Sequence, residues 1–245
     1  MSTYSITIKA FGEYAVLIEW PNKVSEDILK DILIFNQFLE ENYLKKENWE
    51  HVLAYNSLTL VHRKGAVVFK SLKKQLIDWY ANKTIEGEVQ RSFWRLPVCY
   101  DSSFGIDLEE VSNQLELSVS DLITLHTKSI YTVYGIGFLP GFTYLGGLPS
   151  TLETRRRQEP RLKVEKGAVG LAGKQTGIYP QESPGGWNII GNCPVPLFDA
   201  QKDTPCFLSV GDKIQFYAIS KAKYDLLKIE TEVGVFKLEK GKIDA

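Results

Sequence analysis

Cysteine, histidine and methionine are scarce in this 245-residue chain, which has three, three and one of them. Cys99, Cys193 and Cys206 stand far apart and form no C-x-x-C pair. That excludes a disulfide framework of regular spacing and fits unpaired thiols in a reducing compartment, each acting as a small buried hydrophobe. No histidine has a His or Cys partner at ligand spacing, so no metal site is expected. Charge of one sign is also missing: the formal net charge is −1, which points neither to nucleic acid nor to a membrane surface. No apolar run reaches the roughly 18 residues of a membrane span. The opening "MSTYSITIKAFGEYAVLIEW" alternates like a strand pair and lacks the regions of a signal peptide, so a cytoplasmic protein is expected. A serine-hydrolase elbow, G-x-S-x-G, is absent. "GLAGKQTG" imitates a phosphate loop, but five residues separate Gly167 from Gly173, Gln175 follows Lys174, and the context is strand-like. No Walker-type nucleotide site is expected.

What is present divides in two. Residues 4–20 read as two strands around Gly12. Ser25 is placed to cap a helix with the apolar face Ile28, Leu29, Ile32, Leu33, Phe35, Phe38 and Leu39. "HVLAYNS" and "LTLVHR" read as strands, and a second helix presents Val68, Leu72, Gln75, Leu76 and Trp79. This order predicts a small α+β domain over 1–82. The polar stretch 83–91 reads as a linker. Over 92–245 the texture changes. "FWRLPVCY" reads as a strand, and Asp107 with Glu110 and Ser118 with Asp121 are capping-box patterns opening two short helices. Short strands follow ("VGLAG", "WNIIG", "FLSV", "KIQFYAI"), punctuated by glycine and proline, which predicts a mainly-β barrel with a small helical insert.

Two loops carry unusual amounts of glycine, proline and aromatic side chain. The first holds Gly137, Phe138, Pro140, Gly141 and Phe142. The second, "TGIYPQESPGGWNIIG", holds Thr176, Tyr179, Ser183, Pro184, Gly185, Gly186 and Trp187. Glycine permits positive φ and close approach, while Tyr179-Pro180 and Ser183-Pro184 are candidates for cis bonds. Rigid apolar walls with a few polar groups, among them Gln175, Thr176 and Ser183, are how small-molecule pockets are built; tight barrel corners would use the same residues. Trp187 and His126 are expected to face one cavity, with Trp187 at its mouth and His126 a proton carrier. Between the loops, Pro160 stiffens a basic segment, where Arg156, Arg157 and Arg161 are candidates to hold an anion or a partner.

The motifs "GFLPGFTYLGGLP", "RRQEPR" and "GLAGKQTGIYPQESPGGWNIIG" resemble the signature of the allophanate hydrolase subunit 1 family. Its members include the B component of 5-oxoprolinase and a Kip-type inhibitor of a sporulation histidine kinase. "LPVCYD", "DLEEV", "LITLHT" and "FLSVGDKIQF" extend the resemblance through the second half. "FGEYAVLIEW" and "VLAYNSLTLVH" carry it more loosely into the first. The resemblance implies a ferredoxin-like N-terminal domain and a cyclophilin-like barrel. It implies a partner C-type subunit with a related barrel and a TIM-barrel-like A-type subunit, which together open 5-oxoproline to glutamate using ATP with Mg2+, with no tightly bound cofactor and no activity from this chain alone. Kinase inhibition, or half of a carboxyl-transfer module, are the alternatives it carries. Four departures from the family pattern stand out: Arg155 replaces a usual proline, "VEKG" at 164–167 replaces a Val-Pro-Ala-Gly type turn, and Asn192 and Gln215 stand where arginine is common.

Overall fold

The computed structural model describes residues 4–84, 89 and 91–241. The chain divides into two compact units, Met1–Gln90 and Arg91–Ala245. Of the stretch read as a linker, residues 85–88 and 90 lie outside the described residues.

In the first unit, strands β1 (Thr7–Phe11) and β2 (Ala15–Glu19) form a hairpin at Gly12, whose φ of +70° suits a residue without Cβ. Helix α1 (Glu26–Asn42) follows, then β3 (Trp49–Ala54), β4 (Ser57–His62) and helix α2 (Phe69–Ala81). The sheet order is β1-β2-β4-β3, every neighbour antiparallel. The whole apolar face read on α1 is buried. Ser25 precedes α1 in extended backbone, but its side chain makes no capping bond. The apolar face expected on α2 needs correction: Leu72, Leu76 and Tyr80 are buried, while Val68 is 75% exposed. Tyr80 gains its place through Asp31 of α1, a buried carboxylate that accepts from Tyr80 Oη at 2.6 Å and Trp20 Nε1 at 2.7 Å and pairs with Lys83 Nζ at 3.0 Å. A buried charge is tolerated when it is paired and hydrogen-bonded in this way.

The second unit contains β5 (Phe93–Cys99), helices α3 (Leu108–Gln114) and α4 (Val119–Lys128), β6 (Ile130–Ile136), β7 (Thr143–Gly146), β8 (Arg161–Val164), β9 (Ala168–Ala172), β10 (Gln175–Ile178), β11 (Ser183–Gly185), β12 (Asn188–Asn192), β13 (Lys213–Ile219), α5 (Lys221–Glu232) and β14 (Glu239–Gly241). Seven strands close into a mixed barrel, β6-β13-β5-β12-β9-β10-β7 and back to β6. β13 and β5 run parallel; the other junctions are antiparallel. Closure leaves the barrel no free edge. β8 and β11 form a separate ribbon. Leu96, Val98, Tyr131, Val133, Leu145, Val169, Leu171, Ile190 and Phe216 fill the main core.

Three sequence expectations fail here. "FLSV" is no strand; Asp212 Oδ2 accepts from Ser209 N at 2.9 Å, and this side-chain turn replaces a ladder. Helix α5 stands where no helix is expected, and Ser220 caps it by accepting from Lys223 N. Every peptide bond of the described residues is trans, including both proline candidates. Among those residues no helix is long and apolar enough to cross a membrane.

Candidate functional site

The two glycine-rich loops fold back over the outer wall of the barrel. Along β9 and β10 the side chains alternate: Val169, Leu171 and Ile178 face the barrel core, while Ala168 and Ala172 join Phe142, Val164, Tyr179, Trp187 and Ile189 in a second cluster. Gly170 and Gly177 are register partners on that outer wall, and Trp187 lies against both: a Cβ at Gly177 would stand 2.7 Å from the Thr143 carbonyl and 3.1 Å from the indole ring. Phe142 meets Tyr179 and Trp187 edge-on, at centroid distances of 5.1 and 5.5 Å. Gly185 is glycine because a Cβ there would strike the Tyr179 hydroxyl. Gly141, at φ +83°, lets the first loop pass Phe198. Phe138 sits at φ +69° and is 66% exposed. Pro140, Pro160 and Pro184 are exposed, and Gly137 and Gly186 are half-buried. Trp187 is 4% exposed, so it is part of this covering core and not a displayed ring.

His126 occupies the opposite side of the same wall, inside the barrel. It is completely enclosed and its ring stacks on Phe216 at 4.8 Å. Nδ1 lies 2.7 Å from Tyr100 Oη, and Nε2 lies 3.0 Å from Thr176 Oγ1. Thr176 Oγ1 donates to the Gly170 carbonyl at 3.1 Å, so it accepts from the ring. This assigns the Nε2–H tautomer, with Tyr100 donating to Nδ1. Burial lowers the His126 pKa to about 3, which keeps the ring neutral near pH 7. His126 and Trp187 therefore do not share a cavity. Gln175 is half-buried beside Thr176. Ser183 is buried, its hydroxyl donating to the Pro184 carbonyl at 3.2 Å.

Two of the three arginines meet a carboxylate of this chain. Asp107 precedes α3, but its side chain makes no helix cap. Instead it accepts from Arg157 Nη1 at 3.0 Å, from both Nη atoms of Arg161, and from the Ile189 amide at 2.6 Å. Arg157 also donates to Glu110 at 3.1 Å. The neighbouring Ser118 box does form, through Asp121 N and Oδ2. Asp107 is thus a buried hub that fastens the arginine segment to β12, where Asn188 Nδ2 donates to the Arg155 carbonyl at 2.8 Å. Arg156 alone of the three has no carboxylate partner among the described residues; it is exposed, with its guanidinium 5.8 Å from the Trp187 ring centroid.

Two adjacent cavities open on this unit. The larger, about 630 Å³, lies between the β8–β9 turn, the Tyr179-Pro180 corner, segment 193–199 and α5. The smaller, about 210 Å³, is lined by Ile106, Arg161, Ile189 and Asn192. Asn192 borders both; its Nδ2 donates to the Lys166 carbonyl at 3.0 Å and its Oδ1 accepts from Tyr224 Oη at 3.0 Å. Gly167, at φ +83°, is required because a Cβ there would strike Asn192 and the Cys193 carbonyl. Of the residues expected from sequence to bind substrate, Tyr179 and Arg161 line these cavities; Phe138, Phe142 and Trp187 do not, nor does His126. Sequence reasoning misses Asp107 as a hub, since a cap pattern disguises it, and Tyr224, since it lies on the unexpected α5. The departures from the family pattern at 164–167 and 192 all lie at the larger cavity or beside it.

A family model described as the carboxyltransferase domain, subdomain C and D, matches residues 6–208. The B component of the 5-oxoprolinase of Bacillus subtilis is 34% identical over 239 residues, covering 94% of this chain and 99% of that protein. Among solved structures, TTHA0988 is 32% identical with a TM-score of 0.71; the match covers 84% of this chain but 40% of that one. The urea amidolyase of K. lactis shares the fold, with a TM-score of 0.79 at 18% identity over 98% of this chain and 16% of that one.

Proposed function

The chain belongs to the family of 5-oxoprolinase B components, also called allophanate hydrolase subunit 1, and from that premise we propose that it is the B component of an ATP-dependent 5-oxoprolinase that opens the lactam to glutamate. The observation that carries this reading is a 34% match running almost end to end in both chains, to a protein of that name. The name of one component implies others. In this reading those are a C-type subunit with a related barrel and a TIM-barrel-like A-type subunit, working in the cytoplasm with ATP and Mg2+.

The geometry supports a division of labour. Lactam opening needs an activated amide oxygen and a site shielded from water. This chain offers an aromatic cover (Phe142, Tyr179, Trp187) beside the exposed Arg156, and no complete catalytic constellation among the described residues. Arg156 fits a role in holding a carboxylate or phosphate. Arg157 and Arg161, bound to Asp107, fit a role in holding the segment in place. His126, neutral and enclosed, fits a positioning role: its Nε2–H fixes Thr176, next to Gln175 on β10. Phe138, exposed at the tip of the first loop, fits a contact to substrate or to a neighbouring subunit. In the first unit, the strand order β1-β2-β4-β3 fits a ferredoxin-like sheet whose last strand has moved to the start of the chain. The barrel unit fits a cyclophilin-like domain over 92–245, with 1–82 the first domain.

The test is reconstitution. Phosphate release and glutamate formation dependent on 5-oxoproline are measured with this chain alone, then with the candidate C-type and A-type subunits. No turnover alone and turnover on mixing is expected. Full activity from this chain alone, or none in any combination, overturns the reading. The description of the matching family model also favours a second reading, half of a carboxyl-transfer module, which would show instead as biotin-dependent carboxyl transfer with a carrier protein.

A further inference from the structure

The larger cavity has the wrong sign for the chemistry proposed above. Glu165, Glu182, Asp199, Asp225 and Glu232 line it, against two cations, Lys166 and Lys228. Of the five carboxylates, Glu182 lies 2.8 Å from Lys163 and Asp199 lies 3.9 Å from Lys202; Glu165, Asp225 and Glu232 remain against Lys166 and Lys228 and keep the cleft acidic. Concave, partly apolar walls focus such a field. 5-Oxoproline, ATP, phosphate and glutamate are all anions, so none is the natural occupant. No group of three or more acidic, His or Cys side chains among the described residues is arranged to hold a metal ion.

Helix α5 supplies one wall, and its composition points outward as well. Tyr224, Asp225, Lys228, Thr231 and Glu232 face the cavity. On the adjoining stripe, Leu226, Ile229 and Val233 are 46%, 58% and 65% exposed. At 100° per residue, Ile229 and Val233 follow directly on the rim formed by Asp225 and Glu232. An acidic cleft bordered by an apolar helical ridge is the complement of an amphipathic segment carrying lysine or arginine along one side. In TTHA0988 and in urea amidolyase the matching unit is 40% and 16% of the chain, so the fold occurs there beside further polypeptide.

We infer that the acidic cleft and the outer face of α5 form one docking surface for a basic, amphipathic segment of a partner subunit. The inference rests on the reading that this chain works within a multi-subunit complex. A lysine or arginine head enters between Asp225, Glu232 and Glu165, with the Tyr179 and Tyr224 rings among the cavity walls; apolar side chains of the segment cover Ile229 and Val233. Asp225, Ile229 and Glu232 of α5 and Val233 just after it are all exposed, so changing them leaves the core intact.

The experiment compares the wild-type chain, Asp225→Lys/Glu232→Lys and Ile229→Ser/Val233→Ser for binding to the candidate C-type and A-type subunits, at about 50 mM and about 500 mM salt, a range over which the Debye length falls severalfold. Each double variant is expected to bind at least about tenfold more weakly, and wild-type binding to weaken with salt. Variants that bind as the wild type does overturn the inference while leaving the enzyme reading intact. If the wild type captures neither subunit, the enzyme reading loses its support, and the docking surface is decided by two short synthetic helices, one Lys/Leu and one Glu/Leu. Preference for the Lys/Leu peptide that is lost in both double variants supports the surface; equal binding of the two peptides overturns it.

Discussion

A histidine held between a phenol and a threonine, with every ring atom enclosed, behaves differently from one at a pocket mouth. Charging His126 in the folded state would strip an imidazolium of its water, which is why its pKa falls to about 3. In the unfolded chain it returns to about 6.5. The folded-state pKa is depressed for a base, so below about pH 6.5 the unfolded state binds a proton that the native state refuses, and stability falls as the pH drops. The expected slope from this group is about 1.4 kcal/mol per pH unit. Unfolding free energies of wild type and His126→Gln, measured by urea between about pH 6.5 and 5, check it: the wild-type curve should be steeper by roughly that amount, and parallel curves would remove His126 as the cause. The sequence marks His126 as worth attention but cannot assign its role. Its partners lie 26 and 50 residues away, and only barrel closure brings them together.

Elements with a local signature are legible in the sequence, and those defined by long-range pairing are not. The apolar face of α1, the Gly12 hairpin, the Ser118 capping box and the strands β5 and β13 follow from spacing alone. "DLEE" carries an equally good capping pattern at Asp107, yet the carboxylate goes to two arginines some fifty residues downstream and to the Ile189 amide. Removing one partner from such a buried group strands the others, at a cost of about 3–5 kcal/mol. Asp107→Ala should therefore lower the urea midpoint markedly, and Arg161→Glu should do so as well, whereas Arg156→Glu, on the surface, should change stability by no more than about 0.5 kcal/mol. Equal midpoints for Arg156→Glu and Arg161→Glu would refute the hub. The loops read as a pocket because glycine, proline and aromatic residues suit both a ligand site and a tight covering layer. The paired Gly170 and Gly177 decide between these, since they make room for a tryptophan laid on the barrel wall. Trp187→Leu should then cost about 2–5 kcal/mol of stability in thermal or urea melts; an unchanged melt with lost turnover would return Trp187 to the pocket.

At the scale of the whole molecule, each unit carries its own core. Residues from Ile8 to Tyr80 pack together in the first, and the residues of the barrel core run from Trp94 to Phe216. All seven barrel strands come from residues 93–219. Beyond Lys83, which pairs with Asp31, the sequence "TIEGEVQRS" shows no apolar periodicity, and polar boundaries between compact units are where proteolytic nicking concentrates. A domain of about 155 residues with a closed sheet is well within the size that folds alone. Limited proteolysis should therefore cut first between about residues 82 and 92 and leave a resistant fragment that begins near Arg91, read by mass. The same fragment expressed by itself should melt cooperatively, with the near-ultraviolet signal of its packed aromatic residues intact. A fragment without a cooperative transition, or first cuts falling inside the barrel, would mean that the barrel depends on the N-terminal unit and that the two fold as one.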